Sequence, residues 1–259
     1  SKSDLNLEFE IVLIDNLSQE HETEKIIKKW NKYYLGKMIL HRYHGDFNYS
    51  KIHNSIVPKT NGNYLLFLNN DTEIISRDWL NKLIQFAQKP RVGAGGGLLL
   101  YPDRSIQHAG VIMGLGGGAA HAYRQFKTNY IDYFYRSKVI NNFSCVTAAC
   151  MMCRKEVFSS VGGFNELFSH NYNDVDLCLK FIEKGLYNVY LPDLKVIHHE
   201  SKTRGNDLSP SASKGAKDRF DYEYQLLRRL WRKYIDNDPF YNLNLTRKSC
   251  DFRINLCKI

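Results

Sequence analysis

One short stretch carries residue types that suit metal chemistry. In LLFLNNDTEIIS, residues 65–76, four apolar residues run into Asn69, Asn70 and Asp71 before the chain turns apolar again. Asn and Asp are frequent in turns, so the stretch is typical of a strand that ends in a turn. An amide oxygen and a carboxylate two positions apart would also suit a hard cation. Both interpretations stay open on this stretch alone.

Three further positions could take part in the same chemistry. Asp15 ends an apolar run, Asp174 opens a predicted helix, and His198 and His199 end another apolar run. The carboxyl ends of strands are where α/β proteins bind ligands. A carboxylate at a helix N-terminus is either a cap or a candidate general base. Adjacent histidines on a strand point to opposite faces, so at most one of them serves the same site.

Two motifs suggest other chemistry and are set aside. Gly114–Ala119 (GLGGGA) satisfies the dinucleotide fingerprint, but it lies mid-chain, and the acid about 20 residues on, Asp132, lies in an aromatic stretch without strand character. We interpret it as a flexible glycine loop. Cys150 and Cys153 form a C-x-x-C without a second pair at zinc-site spacing. The six cysteines of the chain are predicted to be reduced, buried thiols.

The elements that would position these residues follow from hydrophobic periodicity. Apolar runs predict strands at Phe9–Ile14, Met38–Tyr43 and Tyr64–Leu68, and helical spacing predicts helices at Glu22–Tyr34 and Asp78–Ala87. Strands that are apolar runs, alternating with helices, are typical of a parallel sheet covered on both faces. The predicted class is therefore α/β, with a mostly parallel sheet flanked by helices.

In the second half of the chain, three more strands are predicted at residues 146–154, 189–191 and 195–198. A strong helix is predicted at 174–184 and a basic amphipathic helix at 220–234. Residues 123–135 are interpreted as a mobile or partner-binding segment, and the polar residues 200–217 as flexible. We predict one α/β domain over residues 1–205. Residues 206–259 would add a flexible loop, the basic helix Phe220–Tyr234 and a tail.

Composition bounds the class of protein. The chain is 43% apolar and 24% charged, as is ordinary for a folded protein, and its longest apolar runs are strand-sized. No cationic leader opens it, so we expect a cytoplasmic protein, with peripheral contact at the inner face of a membrane as an option. The net charge of +9 favours anionic partners. A nucleic-acid role has only this charge behind it, and we expect none.

Taken in order, five segments resemble glycosyltransferase family 2. They are FEIVLIDNLS, FNYSKIHN, NGNYLLFLNNDTEI, VTAACMMCRKEVFSSVGGFNE and NDVDLCLKFIEKGLYNVYLPDLKVIHHES. The resemblance covers roughly residues 8–205, and the tail DPFYNLNLT is similar to a segment of several bacterial polysaccharide and protein glycosyltransferases. It implies a GT-A fold and inverting transfer of a sugar from a nucleotide-diphosphate sugar to an acceptor hydroxyl. The acceptor would be a glycan, lipid-linked or protein-linked.

The resemblance also implies roles for single residues. Asp15 matches the acid that recognises the nucleobase. Asn69-Asn70-Asp71 matches the D-x-D motif, whose last acid binds Mn²⁺ or Mg²⁺ and the diphosphate. Asp174 matches the general base. His198 matches a late histidine that completes the metal shell, with His199 as the fallback. The remaining matches are Lys51 and Asn54 for the donor pocket, and Thr147, Ala148, Gly163 and Asn173 for the acceptor region.

The sequence departs from the family pattern at three places. Asn69 and Asn173 stand where the family has an acid. No strand with a Pro-x-Tyr/Asn-like motif precedes Phe9, so we expect the family's first strand to be absent and the chain to be a domain of a larger protein.

Two alternative functions stay open. One is a non-catalytic GT-A domain for assembly or binding. The other is a sugar-phosphate nucleotidyltransferase, although the N-terminal phosphate loop of those enzymes is not found. The helix Phe220–Tyr234 would either dock on a membrane or a second subunit, or pack on the α/β domain. The sugar, nucleotide, acceptor and linkage are left open.

Overall fold

The computed structural model describes residues 7–199 and 211–256. The strands in these ranges are β1 Ile11–Asp15, β2 Met38–Arg42, β3 Tyr64–Leu68, β4 Thr72–Ile74, β5 Val92–Leu100, β6 Ile106–His108, β7 Val111–Met113, β8 Ala119–His121, β9 Asn141–Phe143, β10 Cys150–Arg154 and β11 Tyr187–His198. The α-helices are α1 His21–Tyr33, α2 Tyr49–Ile56, α3 Trp79–Ala87, α4 Lys155–Ser160, α5 Asn173–Glu183, α6 Lys214–Leu230 and α7 Arg232–Asp236. The predicted strand and helix alternation of the first half is present.

The main sheet has seven strands. Its central order is β3-β10-β5-β11-β4, with β6 beside β5 and β9 beside β11. Strands β1 and β2 form a separate parallel pair, and β7 and β8 form an antiparallel hairpin. Among the residues that the structure covers, β3 pairs only with β10, and no strand joins it to β1.

The sheet is mixed, which corrects the prediction of a mostly parallel one. Of the eight strand pairs within the described ranges, β1–β2 and β5–β11 are parallel and the six others are antiparallel. An apolar run shows that a strand is buried on both faces, but it carries no information on direction. Direction depends on the connections, and short turns such as the one from β5 to β6 force antiparallel pairing.

The glycine-rich stretch after residue 91 is the central strand β5, and all nine of its residues are buried. Glycine is needed there because neighbouring side chains approach the backbone. A Cβ on Gly96 would lie 2.8 Å from Val146 Cβ, and one on Gly97 would lie 2.4 Å from Leu194 Cδ2. Glycines inside a strand often mark a close approach of another chain segment, as they do here.

The two short strands predicted at 189–191 and 195–198 are parts of one strand, β11, with an irregularity between Leu191 and Lys195. The glycine stretch 114–119, interpreted as a flexible loop, joins β7 to β8 through a 3₁₀ turn at Leu115–Gly117. The five described cysteines are free thiols and four of them are buried, as predicted. Burial raises the pKa of the Cys150 thiol to about 12, so it stays protonated.

The helix predicted at Phe220–Tyr234 is two helices, α6 and α7, which meet at Trp231. Four apolar side chains of the two helices are buried: Leu226, Leu227, Tyr234 and Ile235. They belong to the same core cluster as residues of β3, β10 and α5. The helix pair therefore packs on the α/β core. The predicted domain boundary at residue 205, and residues 200–210 of the predicted flexible segment, lie outside the described residues.

Candidate active site

The turn after β3 is tied to two other strands. Asn69 N–H donates to the Ala149 carbonyl oxygen at 3.0 Å, and His199 N–H donates to the Asp71 carbonyl oxygen at 2.9 Å. The Thr72 hydroxyl donates to the Asn69 carbonyl oxygen at 2.6 Å. These bonds place the turn between the start of β10 and the end of β11. The stretch is a turn, as its residue types indicate, and it holds the Asp71 side chain beside β11.

Asp71 and His198 form a close pair. Nε2 of His198 lies 3.1 Å from Oδ1 of Asp71, and both side chains are largely buried. Nδ1 of His198 lies 2.8 Å from Oε1 of Gln107, and an amide oxygen only accepts, so Nδ1 carries a proton. In neutral imidazole, Nε2 then presents a lone pair to a carboxylate oxygen. Two acceptors this close repel each other unless a cation lies between them, either a proton or a metal ion.

Gln107 is the residue that sets this geometry. Its side chain is buried on β6, and its Nε2 donates to the His198 carbonyl oxygen at 3.5 Å. The two contacts together fix the orientation of the amide and hence of the imidazole ring. In metalloproteins, a hydrogen bond to the far nitrogen of a metal-binding histidine orients its ring in the same way. Nothing in the local sequence IQH marks Gln107 as functional, because its partner lies 91 residues away.

The pair fits a divalent cation bound together with its substrate. Oδ1 of Asp71 is buried and accepts no hydrogen bond from the described residues. Carboxylate oxygen and imidazole nitrogen suit Mn²⁺-type ions, and Mg²⁺ and Mn²⁺ sites of this class are completed by substrate phosphates. No group of three His, Cys, Asp or Glu side chains in the described ranges could hold a metal alone. Asn69 Nδ2 lies 3.4 Å from His198 Nε2 and faces the same site.

Asp174 lies in the first turn of α5, as predicted, and both of its carboxylate oxygens accept from backbone N–H groups. Oδ2 accepts from Ala148 at 3.1 Å, and Oδ1 accepts from Val175 at 2.8 Å. The charge of Asp174 acts with burial, the larger cause, to raise the pKa of Tyr49, which shows how near the Tyr49 ring lies. The carboxylate is therefore held in one orientation, half-buried at the mouth of the site.

The segment Ala148–Ala149 joins the two halves of the site. Ala148 N–H donates to Asp174, and the Ala149 carbonyl oxygen accepts from Asn69 N–H. Asp174 and the Asn69–Asp71 turn are thus bonded to consecutive residues. The Asp71–His198 pair and an oriented carboxylate lie on either side of one short backbone segment, an arrangement that suits displacement at a centre between them.

The other acids near α5 have different roles. Asp176 is fully buried, accepts from the Trp231 indole N–H at 2.9 Å and pairs with Lys180 Nζ at 3.0 Å. It ties α5 to the end of α6. Asn173 is buried, and its side-chain oxygen accepts from Asp174 N–H at 2.8 Å. Of the acids in the first turn of α5, Asp174 is the one that contacts the Ala148–Ala149 segment.

Asp15 ends β1, in the separate two-stranded sheet. Arg42 Nη1 lies 2.9 Å from its Oδ2, and Ser18 N–H donates to its Oδ1 at 3.0 Å. Hydrogen bonds from Ser18 hold the pKa of this carboxyl below its usual range, against the opposing effect of burial, and the charge of Arg42 adds to the lowering. The predicted nucleobase contact stays a prediction.

The residues predicted to line the donor and acceptor pockets are partly used in structural bonds. The Asn54 side chain donates to the Phe164 carbonyl oxygen at 2.9 Å and accepts from Phe164 N–H at 3.0 Å, which holds the turn that contains Gly163. Lys51 and Asn70 are exposed. Thr147 Oγ1 lies 3.4 Å from Ala149 N and accepts from it. Their predicted roles toward ligands stay predictions.

Glu223 on α6 is a residue that the sequence analysis missed. Its side chain is fully buried, and its two oxygens accept five hydrogen bonds of 2.6–2.9 Å from Ser169, His170 and Asn171. These three residues lead directly into α5 and Asp174. The only sequence signal is an acid within the amphipathic pattern of α6, which is typical of an exposed helix face.

A surface groove of about 980 Å³ lies between the β5–β6 turn and residues 124–129, with Arg104, Arg124 and Lys127 along it. None of the predicted site residues lines it.

In the part of the chain that the structure covers, no helix combines the length and apolar character required to span a bilayer.

Comparison with known proteins identifies related chains. Residues 2–162 match the model described as Glycosyl transferase family 2. The O-antigen biosynthesis protein RfbC of Myxococcus xanthus is 36% identical over 95% of this chain and 19% of its own length. The N-acetylglucosaminyl-diphospho-decaprenol L-rhamnosyltransferase of Mycobacterium tuberculosis is 30% identical over 46% of this chain and 41% of its own length. Two relatives match nearly all of this chain, and the chain spans about a quarter of the length of one and a fifth of the length of the other.

A solved structure confirms the predicted fold. The structure of GalNAc-T7 with UDP, GalNAc and Mn²⁺ superposes with a TM-score of 0.65, at 15% identity, over 88% of this chain and 44% of that chain. At this identity the likeness shows the fold alone, and that fold is the GT-A fold predicted from the sequence.

Proposed function

Because this chain belongs to glycosyl transferase family 2, we propose that it transfers a sugar from a nucleotide-diphosphate sugar to an acceptor hydroxyl with inversion. The observation that carries the proposal is the placement of the Asp71–His198 pair and Asp174 on either side of Ala148–Ala149. Departure of a nucleoside diphosphate needs a positive charge on one side of the sugar. Activation of a hydroxyl needs a base on the other side.

Asp71 and His198 would hold Mn²⁺ or Mg²⁺ together with the donor diphosphate, with Asn69 beside them. When bound, the ion supplies charge that stabilises the departing diphosphate. The proposal is supported by the lone pairs that Asp71 Oδ1 and His198 Nε2 turn toward each other, and by Gln107, which fixes the imidazole. GalNAc-T7, which shares the fold, was solved with UDP and Mn²⁺.

Asp174 would take the proton of the acceptor hydroxyl. Each of its oxygens accepts one backbone N–H bond, and a carboxylate oxygen has a second lone pair for the hydroxyl. A single base is sufficient for one displacement with inversion, whereas retention through a covalent intermediate would also need a nucleophile.

The acceptor class is supported by the names of the relatives. One is an O-antigen biosynthesis protein and another is a transferase named for a sugar on a lipid diphosphate. We therefore propose a bacterial glycan acceptor, lipid-linked before protein-linked, met at the cytoplasmic face of a membrane. The net charge of +9 is compatible with an anionic membrane surface.

The test is release of nucleoside diphosphate from a panel of UDP-, GDP- and dTDP-sugars, with and without Mn²⁺. We expect release from one class of donor only with the metal, and loss of it in Asp71→Ala. Glu73→Ala, two residues away and exposed, is the matched control and should behave as the parent protein. Nuclear magnetic resonance of the glycoside product would show an inverted anomeric centre.

Two outcomes contradict the proposal. Full metal-dependent release by Asp71→Ala would mean that the turn after β3 does not bind the ion. Absence of donor binding with every metal and every nucleotide sugar would instead favour a non-catalytic GT-A domain that serves assembly.

A further inference from the structure

A row of aromatic rings runs from the start of α5 onto α6. The Tyr172 and Phe220 ring centroids lie 6.0 Å apart, and those of Phe220 and Tyr224 lie 6.3 Å apart with ring planes inclined by 11°. All three side chains are half-buried. Tyr172 directly precedes α5, so the row begins at the N-terminal end of the helix that carries Asp174 in its first turn.

The backbone at Tyr172 is strained in a way that defines the start of the row. Its φ is +61°, in the left-handed region that residues with a side chain rarely adopt. Strain of this kind persists where the surroundings enforce it. The enforcing contacts are those of Glu223 to Ser169, His170 and Asn171, immediately before Tyr172.

The glycines between β7 and β8 cover the other end of the row. A Cβ on Gly117 would lie 2.7 Å from the Tyr224 hydroxyl oxygen, and one on Gly118 would lie 2.8 Å from the Tyr224 ring. The backbone thus approaches Tyr224 more closely than any other residue type would permit. This contact gives the GLGGGA stretch a role that its resemblance to a dinucleotide motif does not explain.

We propose that Tyr172, Phe220 and Tyr224 form the subsite that binds the acceptor sugar, with Glu223 as the positioning residue that fixes this subsite relative to Asp174. The inference rests on the proposed function. The face of a pyranose ring that carries its axial C–H bonds is apolar and flat, and it packs on aromatic rings, whereas its hydroxyl groups need polar partners at the ring edges.

Two features suit this ligand chemistry. Tyr172 and Tyr224 add hydroxyl groups to the apolar surface of the rings. Burial, followed by Tyr224 and Glu223, raises the pKa of Tyr172 to about 12, so its hydroxyl keeps its proton and can donate. The same helix carries Tyr222, which is exposed and lies outside the row.

The test measures binding of simple sugars by saturation-transfer-difference NMR. The probes are the methyl glycosides of glucose, mannose, rhamnose and N-acetylglucosamine, with the full chain and without donor. We expect at least one glycoside to bind the parent protein, and Phe220→Ala to weaken that binding by about fivefold or more. Phe220→Tyr keeps an aromatic ring and should bind the glycoside as the parent protein does. Tyr222→Ala is the matched control and should leave glycoside binding unchanged.

Binding of Mn²⁺ with UDP, GDP or dTDP is measured on the same proteins, because it reports the donor side alone. Loss of glycoside binding with intact nucleotide binding in Phe220→Ala supports the inference and excludes unfolding. If no glycoside binds the parent protein, or if Phe220→Ala and Tyr222→Ala have equal effects, the inference is overturned. Failure of the parent protein to bind any nucleotide overturns the proposed function instead.

A second readout tests the role of Glu223. For the active donor and a glycoside acceptor, Glu223→Gln should raise the acceptor KM and lower kcat, whereas the rate of donor hydrolysis by water should change less than twofold. Equal loss of both rates would show that Glu223 only supports the fold.

Discussion

Single side chains decide whether the turn after β3 can bind a cation. Asp71 is the one acid of Asn69-Asn70-Asp71, so it carries a role that two acids share in the usual motif. Nε2 of His198 lies 3.1 Å from its Oδ1 and is the second ligand atom of the proposed cation site. Asn69 stands where the family has the first acid of this motif, so this turn brings one carboxylate fewer to the proposed site.

Replacement of Gln107 by Leu tests the orientation of that imidazole. Without the Oε1 acceptor, His198 loses the bond that fixes its ring and its tautomer. We expect Gln107→Leu to weaken Mn²⁺ binding in the presence of the nucleoside diphosphate by about 10–100-fold, measured by electron paramagnetic resonance. Gln125→Leu, at an exposed glutamine, is the control. Unchanged affinity in Gln107→Leu would mean that His198 is not a ligand.

Asp174 and Asp176 are neighbours on α5, and the structure assigns them different consequences. Asp174→Asn keeps the shape of the side chain but removes the proposed base, so we expect kcat for transfer to fall by about 10²–10⁴. Its melting temperature should stay close to that of the parent. Asp176→Asn should lower the melting temperature, because Asp176 is buried and bonded to Trp231 and Lys180. The reverse pattern would exchange the two roles.

Among the elements, the turn Gly162-Gly163-Phe164 shows how backbone conformation supports the site. Both glycines have positive φ, +77° and +67°. A Cβ on Gly163 would lie 2.6 Å from Asn54 Oδ1 and 2.9 Å from the Phe158 ring. A Cβ on Gly162 would have no surrounding atom of residues 7–199 or 211–256 within 4 Å. Both positions have a positive φ, but Gly163 is the one whose neighbours leave no room for a Cβ.

We therefore expect Gly163→Ala to lower the free energy of unfolding by about 2–3 kcal/mol, from strained φ together with a clash. Gly162→Ala should cost about 1 kcal/mol, from strained φ alone. Urea unfolding measures both. An equal cost at the two positions would show that Asn54 and Phe158 move aside without loss.

In the molecule as a whole, α6 and α7 are part of the α/β core. Glu223, Trp231 and Tyr234 each bond to α5 or to the segment before it. Tyr234 and three apolar residues of the same helices are buried in the main cluster. Membrane or subunit contact through Phe220–Tyr234 stays a prediction. The large apolar side chains that α6 leaves exposed are Tyr222 and Leu230, which is a small surface for docking.

A chain that ends at residue 205 tests this integration. Without Leu226, Leu227, Tyr234 and Ile235, the main cluster would be open to water on one side. We expect the shortened protein to lose cooperative urea unfolding and near-ultraviolet circular dichroism, both compared with the full chain. A cooperative transition of unchanged midpoint would show that residues 1–205 fold independently.

Many strands, helices and turns of this protein can be predicted from local sequence. The strands and helices around Asn69-Asn70-Asp71 and Asp174 lie within a few residues of their predicted positions, because hydrophobic periodicity and turn residues are local signals. The same holds for the turn after β3 and for the start of α5. The order of five motifs along the chain was sufficient to indicate the family and its fold.

Other features depend on contacts between distant residues, and no local pattern encodes them. Gln107 meets His198 across 91 residues, and Glu223 meets Ser169 across 54. Strand direction in the sheet and the burial of the glycines of β5 also follow from packing. An isolated Gln, Glu or Gly has the same local signature whether it faces water or a partner, so only the folded chain shows that Gln107 orients His198 and that Glu223 on α6 holds the segment before Asp174.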